Sequence, residues 1–133
     1  VPDAFRGMAV GTHRRLKSVA DRIRKVAPGT EITPGVQLVA THGHTPGHVS
    51  VLVKSGAEQL FIGGDVIVQQ IISFAEPGWK WGPDLDGERG IASRRRTLDQ
   101  LATDRVRLLG YHMAWPGIGW VERRGAAFRF VPA

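Results

Sequence analysis

Thr41-His42-Gly43-His44-Thr45-Pro46-Gly47-His48 packs three of the chain's five histidines into eight residues. The stretch follows a run, Val36 to Ala40, whose Val36, Leu38 and Ala40 fall on alternate positions. At Pro46-Gly47 it turns into a second strand-like run, His48 to Lys54. Side chains there stand at a strand end, where a rigid scaffold presents functional groups. Two more positions share that setting. Asp65 comes after Gln59 to Ile62, behind Gly63-Gly64, and His112 comes after Val106 to Leu109 and before Trp115-Pro116-Gly117. Imidazole nitrogen with carboxylate oxygen is a donor set for zinc or a similar divalent ion. Each residue also has an ordinary structural reading, because histidines settle in cores and Gly-Gly-Asp is a common turn. His13, within the basic first segment, is read in that ordinary way. Spacing alone leaves both readings open.

Working outward, Met8 to Val26 is expected to be a helix with Leu16, Val19, Ile23 and Val26 on one face, stopped by Ala27-Pro28-Gly29. Ser55-Gly56-Ala57-Glu58 reads as a hairpin connection. Val66 to Phe74 is apolar but irregular, and Glu76 to Pro83 is a loop. Asp84 or Asp86 offers an N-cap for a helix running to about Ala102, with Ile91, Leu98 and Leu101 on one side. Val106 to Leu109 is a short buried strand. Trp120 to Glu122 and Ala127 to Val131 pair through Arg124-Gly125. The fold class that follows is α/β, or α+β in layers.

At 133 residues the chain fits one domain, and 42% hydrophobic with 23% charged residues excludes a disordered tail, a collagen-like repeat and a coiled coil. No apolar run approaches the ~20 residues of a membrane span. The absence of cysteine excludes disulfides, thiolate zinc sites and a thiol nucleophile. The net charge of +6 sits in His13-Arg14-Arg15 through Lys25, in Arg94-Arg95-Arg96, and in Arg123, Arg124 and Arg129. Clustered cations suit nucleic acid. The preferred reading is a solvated helix face, since no base-stacking aromatics and no nucleic-acid motif accompany them. A non-catalytic binding module using that basic face is the alternative to an enzyme. The start at Val1, without Met or a leader-like segment, leads us to expect that the natural N-terminus lies elsewhere, which leaves cytoplasmic, periplasmic and secreted locations open.

His42-Gly43-His44-Thr45-Pro46-Gly47-His48, Gly64-Asp65-Val66-Ile67, and Gly110-Tyr111-His112 with Trp115 to Gly119, in this order, resemble the C-terminal half of the metallo-β-lactamase-fold hydrolases. With the ending Phe128-Arg129-Phe130-Val131-Pro132 the sequence is most similar to their methyl parathion hydrolase-like branch. The resemblance runs from about Pro34 to Pro132. It implies the second half of an αββα sandwich over residues 1–133, and two divalent metals, zinc foremost, with manganese, iron or cobalt as alternatives. His44 would bind one metal, Asp65 would bridge both, and His112 would bind the other; these three are the candidate catalytic residues. His48 and His42 would stand outside the ligand set, packing against it.

The family's first metal block, His-x-His-x-Asp-His, is not in this sequence. The chain is accordingly expected to be a fragment with three of the usual seven ligands, by itself inactive. The implied activity of the parent protein is hydrolysis of a small ester, lactone, amide or phosphotriester by metal-activated hydroxide. A complementing N-terminal segment or another chain would supply the missing ligands, and the resemblance also allows a homodimer. Val68 stands where acyl-homoserine lactonases of the superfamily place a tyrosine, which counts against a lactonase that depends on that phenol. Phe74, Trp79, Trp81 and Trp115 are expected either to line an apolar substrate pocket or to pack a loop on the core.

Overall fold

A computed structural model describes residues 3–133; Val1 and Pro2, on which the expectation about the N-terminus rests, lie outside the described residues. A single 3-10 turn (Asp3–Phe5) leads into α1 (Arg6–Lys17), and Ala20–Arg22 forms another such turn. Then come β1 (Glu31–Thr33), β2 (Val36–Ala40), β3 (Val49–Ser55) and β4 (Glu58–Ile62). A turn at Gly64–Val66, α2 (Ile72–Ala75) and α3 (Gly87–Asp104) follow, before β5 (Arg107–Leu109), β6 (Ile118–Arg124) and β7 (Ala127–Pro132).

All seven strands form one sheet in chain order. Every neighbouring pair is antiparallel except β4 and β5, which are parallel. Parallel neighbours need a long crossover, and here the chain from Gly63 to Val106, containing α2 and α3, provides it. α3 packs on β6 and α2 on β7. Together they cover one sheet face, burying Phe61, Leu108, Val121 and Phe128 against Phe74, Leu98 and Leu101. The opposite face carries Leu38, Val51, Ile62, Leu109 and Ile118 as cross-strand partners in one row. All five are only half-buried, so this apolar row lacks the cover the other face has.

Two expectations need correction. The first helix ends at Lys17 rather than Val26; Ser18 Oγ donates to Arg15 O at 2.7 Å and the backbone is extended at Ile23. None of its residues is buried, so no core contact rewards prolonging it through β-branched Val19 and Ile23. Strand β1 was not anticipated, because three exposed residues carry no readable alternation. The Asp84-or-Asp86 ambiguity resolves onto Asp86, whose carboxylate accepts from Arg89 N–H at 3.1 Å as the α3 N-cap.

Candidate metal centre

The register places the ends of β2, β4 and β5 and the start of β3 along one edge of the sheet, since Ala40 pairs with Val49 and Ile62 with both Val51 and Leu109. The loops leaving that edge carry the histidine run, Asp65 and His112. Side chains about 20 to 70 residues apart in sequence are thereby brought together.

Asp65 stands between two imidazoles. Its Oδ1 lies 2.8 Å from His112 Nε2 and its Oδ2 lies 3.6 Å from His44 Nε2. The first contact is a hydrogen bond and the second is too long to be one. Two donors of a tetrahedral zinc site, each about 2.1 Å from the ion, lie roughly 3.4 Å apart, so the wider gap suits a shared ion. Among the described residues, no three of these groups converge as a finished cage for one ion. The carboxylate instead offers one oxygen to each histidine. These donors fit a divalent metal by type on both sides of Asp65 and by spacing on the His44 side only, and each side is incomplete.

His48 serves Asp65 through the main chain. Its Nε2 accepts the Asp65 backbone N–H at 2.9 Å. An N–H can only donate, so Nε2 is unprotonated and the proton of the neutral ring sits on Nδ1. Nδ1 then donates to Thr41, whose carbonyl and Oγ1 lie at 3.0 and 2.9 Å. Thr41 Oγ1 meets Ser50 Oγ at 2.9 Å, and Ser50 donates to Gly63 O at 2.8 Å. Burial pushes the His48 imidazole below its ordinary pKa, against the raising effect of the Thr41 hydrogen bond, and so favours the neutral form this chain of bonds requires. Gly64 makes room for it: with φ at +59°, a Cβ there would come within 2.9 Å of His48 Nε2.

His42 makes no hydrogen bond with Asp65, His44 or His112; its carbonyl accepts from Ser93 Oγ at 2.7 Å, and its Nδ1 is buried without a partner. His13 is exposed on α1. The four aromatic residues do not form one wall. Phe74 is 2% exposed, with its ring 5.9 Å from Phe130, so it belongs to the core and offers a substrate no surface. Trp79 and Trp81 border a small cavity of about 160 Å³ with Val68 and Ile72. Trp115 is 95% exposed beyond His112 and borders no part of that cavity.

Two residues that sequence reasoning assigned elsewhere stand at the site. Asp84, offered only as a possible helix cap, receives His44 Nδ1 at 3.0 Å on Oδ1. Arg94, counted with the basic run, is buried and its Nη2 donates to Asp84 Oδ2 at 3.3 Å. The signal for Arg94 lay in its spacing, since Arg94, Leu98 and Leu101 share one helix face and all three are buried. Two further arginines are held in pairs. Arg123 pairs with Asp99, holding that carboxyl below its usual range by a hydrogen bond, and Arg129 pairs with Glu122 at 2.6 Å.

No family model and no curated protein matches this chain. Solved structures do. AidC, a dizinc quorum-quenching lactonase in complex with its product N-hexanoyl-L-homoserine, superposes with a TM-score of 0.91 at 26% identity over 99% of this chain. AbOPH, a hydrolase of the β-lactamase superfamily, superposes with a TM-score of 0.85 at 22% identity over 100% of the chain. A probable metal-dependent hydrolase from Staphylococcus aureus gives 0.62 at 19% identity over 70%. The chain spans 45% of the first of these and 48% of the second, about half their length.

Proposed function

From its fold, which is that of the C-terminal half of the metallo-β-lactamase-superfamily hydrolases, we propose that this chain is the C-terminal part of a metal-dependent hydrolase acting on a small molecule. Residues 1–133 then form the second half of one domain. The observation that carries the reading is Asp65 between His44 Nε2 and His112 Nε2, one carboxylate oxygen toward each. The uncovered apolar sheet face supports the further claim that another half, bringing its own ligands, completes the site.

His44 and Asp65 would hold one divalent ion and Asp65 and His112 the other, with zinc foremost given the dizinc lactonase among the structural neighbours. Bound there, the metals supply Lewis acidity and lower the pKa of water toward neutrality. Asp65, with one oxygen toward each histidine, would set the distance between the two sites. His48 keeps Asp65 in register by accepting its backbone N–H. Neither a serine nor a cysteine nucleophile is required. The substrate is an ester, lactone, amide or phosphotriester, and the exposed Trp115, three residues after His112, would offer apolar surface to a bulky one. The blocks around His44, Asp65 and His112 and the chain's ending are the ground for placing it in the methyl parathion hydrolase-like branch. With three donors of its own, the chain alone turns over little substrate, because a half-built site lacks the fixed geometry that catalysis needs.

Metal content per chain tests the reading, by elemental analysis of protein purified without added metal beside Asp65→Ala. Two ions per chain in an assembly that hydrolyses a lactone or phosphotriester probe, both lost with Asp65→Ala, is the expected result for the completed site. Activity that survives Asp65→Ala at wild-type level refutes it.

A further inference from the structure

Asp84 makes no helix cap and faces no solvent, and its carboxylate spends both oxygens inward. Oδ1 lies 3.0 Å from His44 Nδ1 and Oδ2 lies 3.3 Å from Arg94 Nη2, with the Asp84 side chain 1% and the Arg94 side chain 3% exposed. A buried carboxylate can only accept, so the proton of His44 belongs on Nδ1 and the Nε2 lone pair is left facing Asp65. We propose that Asp84 is the positioning residue that fixes the tautomer and aim of His44, and that Arg94 holds Asp84 in place. The proposal deepens the hydrolase reading and rests on it for the meaning of that lone pair.

The surrounding backbone is built for this contact. Leu85 and Asp86 N–H donate to the carbonyls of His44 and Gly43 at 3.1 and 3.0 Å, docking the histidine loop beside Asp84. Gly43 and Gly90 allow that approach. A Cβ on Gly43 would lie 2.1 Å from Gly90 N, and one on Gly90 would lie 2.5 Å from Asp84 Oδ2. Arg94 also donates to the carbonyls of Trp79 at 2.9 Å and of Val66 and Pro77 at 3.3 Å. One guanidinium thus ties the carboxylate behind His44 to the segment that follows Asp65. A plain buried ion pair needs no third partner on the carboxylate, and here the third partner is a candidate metal ligand. Carboxylates behind metal-bound histidines serve this purpose generally, and their loss typically weakens metal binding by about 10–100-fold.

Imidazole nitrogen NMR of the ¹⁵N-labelled, metal-free chain, at a pH where its histidines are neutral, reads the tautomer directly. The wild type is expected to show His44 protonated on Nδ1. In Asp84→Asn the side-chain oxygen turns to Arg94 and its NH₂ turns to Nδ1, so the proton is expected to move to Nε2. Zinc affinity of the same variant is expected to fall by about 10–100-fold. A wild-type His44 protonated on Nε2 overturns the proposal without recourse to any variant, and so does an Asp84→Asn chain of unchanged tautomer or zinc affinity. Should zinc fail to bind while His44 keeps its Nδ1 proton, the metal reading falls and the positioning role stands.

Discussion

At the scale of single residues, the site depends on two imidazoles with opposite duties. His48 accepts on Nε2 from the Asp65 main chain, while His44 keeps Nε2 free by donating from Nδ1. Gly64 is the residue on which the first arrangement turns. Gly64→Ala places a methyl against His48 Nε2 and forces a left-handed backbone that costs roughly 1–2 kcal/mol for an L-residue. Urea denaturation is expected to show a loss of at least that size, and the backbone N–H of Asp65 should exchange with solvent faster. Wild-type stability in this variant would mean that the Asp65–His48 contact carries no structural weight. The histidines and Asp65 were legible as candidates from residue type, strand-end placement and the family resemblance together. Asp84 was not, because two acids before a helix look alike until the fold shows which one caps.

At the scale of elements, α3 links the core to the candidate site. Its buried stripe packs Leu98 and Leu101 on the sheet, and the same stripe carries Arg94 to Asp84. Leu98 is fully buried, and Leu98→Ala is expected to cost about 2–5 kcal/mol, read from the shift in denaturation midpoint at constant slope. The helix ends at Arg105 with φ at +53°, a conformation a side chain adopts at a cost. Arg105→Gly is therefore expected to gain up to about 1 kcal/mol; a loss would show that contacts of the arginine outweigh its backbone strain. Phe74→Ala should cost about 3–5 kcal/mol, as befits a core ring. The strands from β2 to β7 and α3 were readable from the sequence pattern to within a few residues. The true extent of α1 was not, because propensity set its pattern while the lack of any buried partner set its length.

At the scale of the whole molecule, one sheet face is covered and the other is not. The row Leu38, Val51, Ile62, Leu109 and Ile118 leaves the isolated chain with an apolar surface that water penalises. Self-association is the expected outcome, seen as a concentration-dependent sedimentation coefficient, and Val51→Lys within the row should reduce it while the cooperative melt persists. A strictly monomeric wild-type chain at all concentrations would contradict that expectation. Part of the basic surface is internally engaged at this scale, since Arg94 is inside and Arg123 and Arg129 are paired, while the basic residues from Arg14 to Lys25 stay exposed.

By itself the sequence determined which side chains were available and that they would stand at strand ends. Histidines and an aspartate after strand runs set the donor types, the absence of cysteine removed the alternatives, and alternating apolar residues fixed the strands that carry them. Those are local facts, written in residue type and short-range period. Only the tertiary structure decided that Asp65 turns one oxygen to each histidine, that Asp84 and Arg94 stand behind His44, and that Phe74 faces inward. Such choices depend on the parallel pairing of β4 with β5 and on the path of the crossover between them. Contacts spanning 40 or more residues are set by packing, which no window of sequence contains.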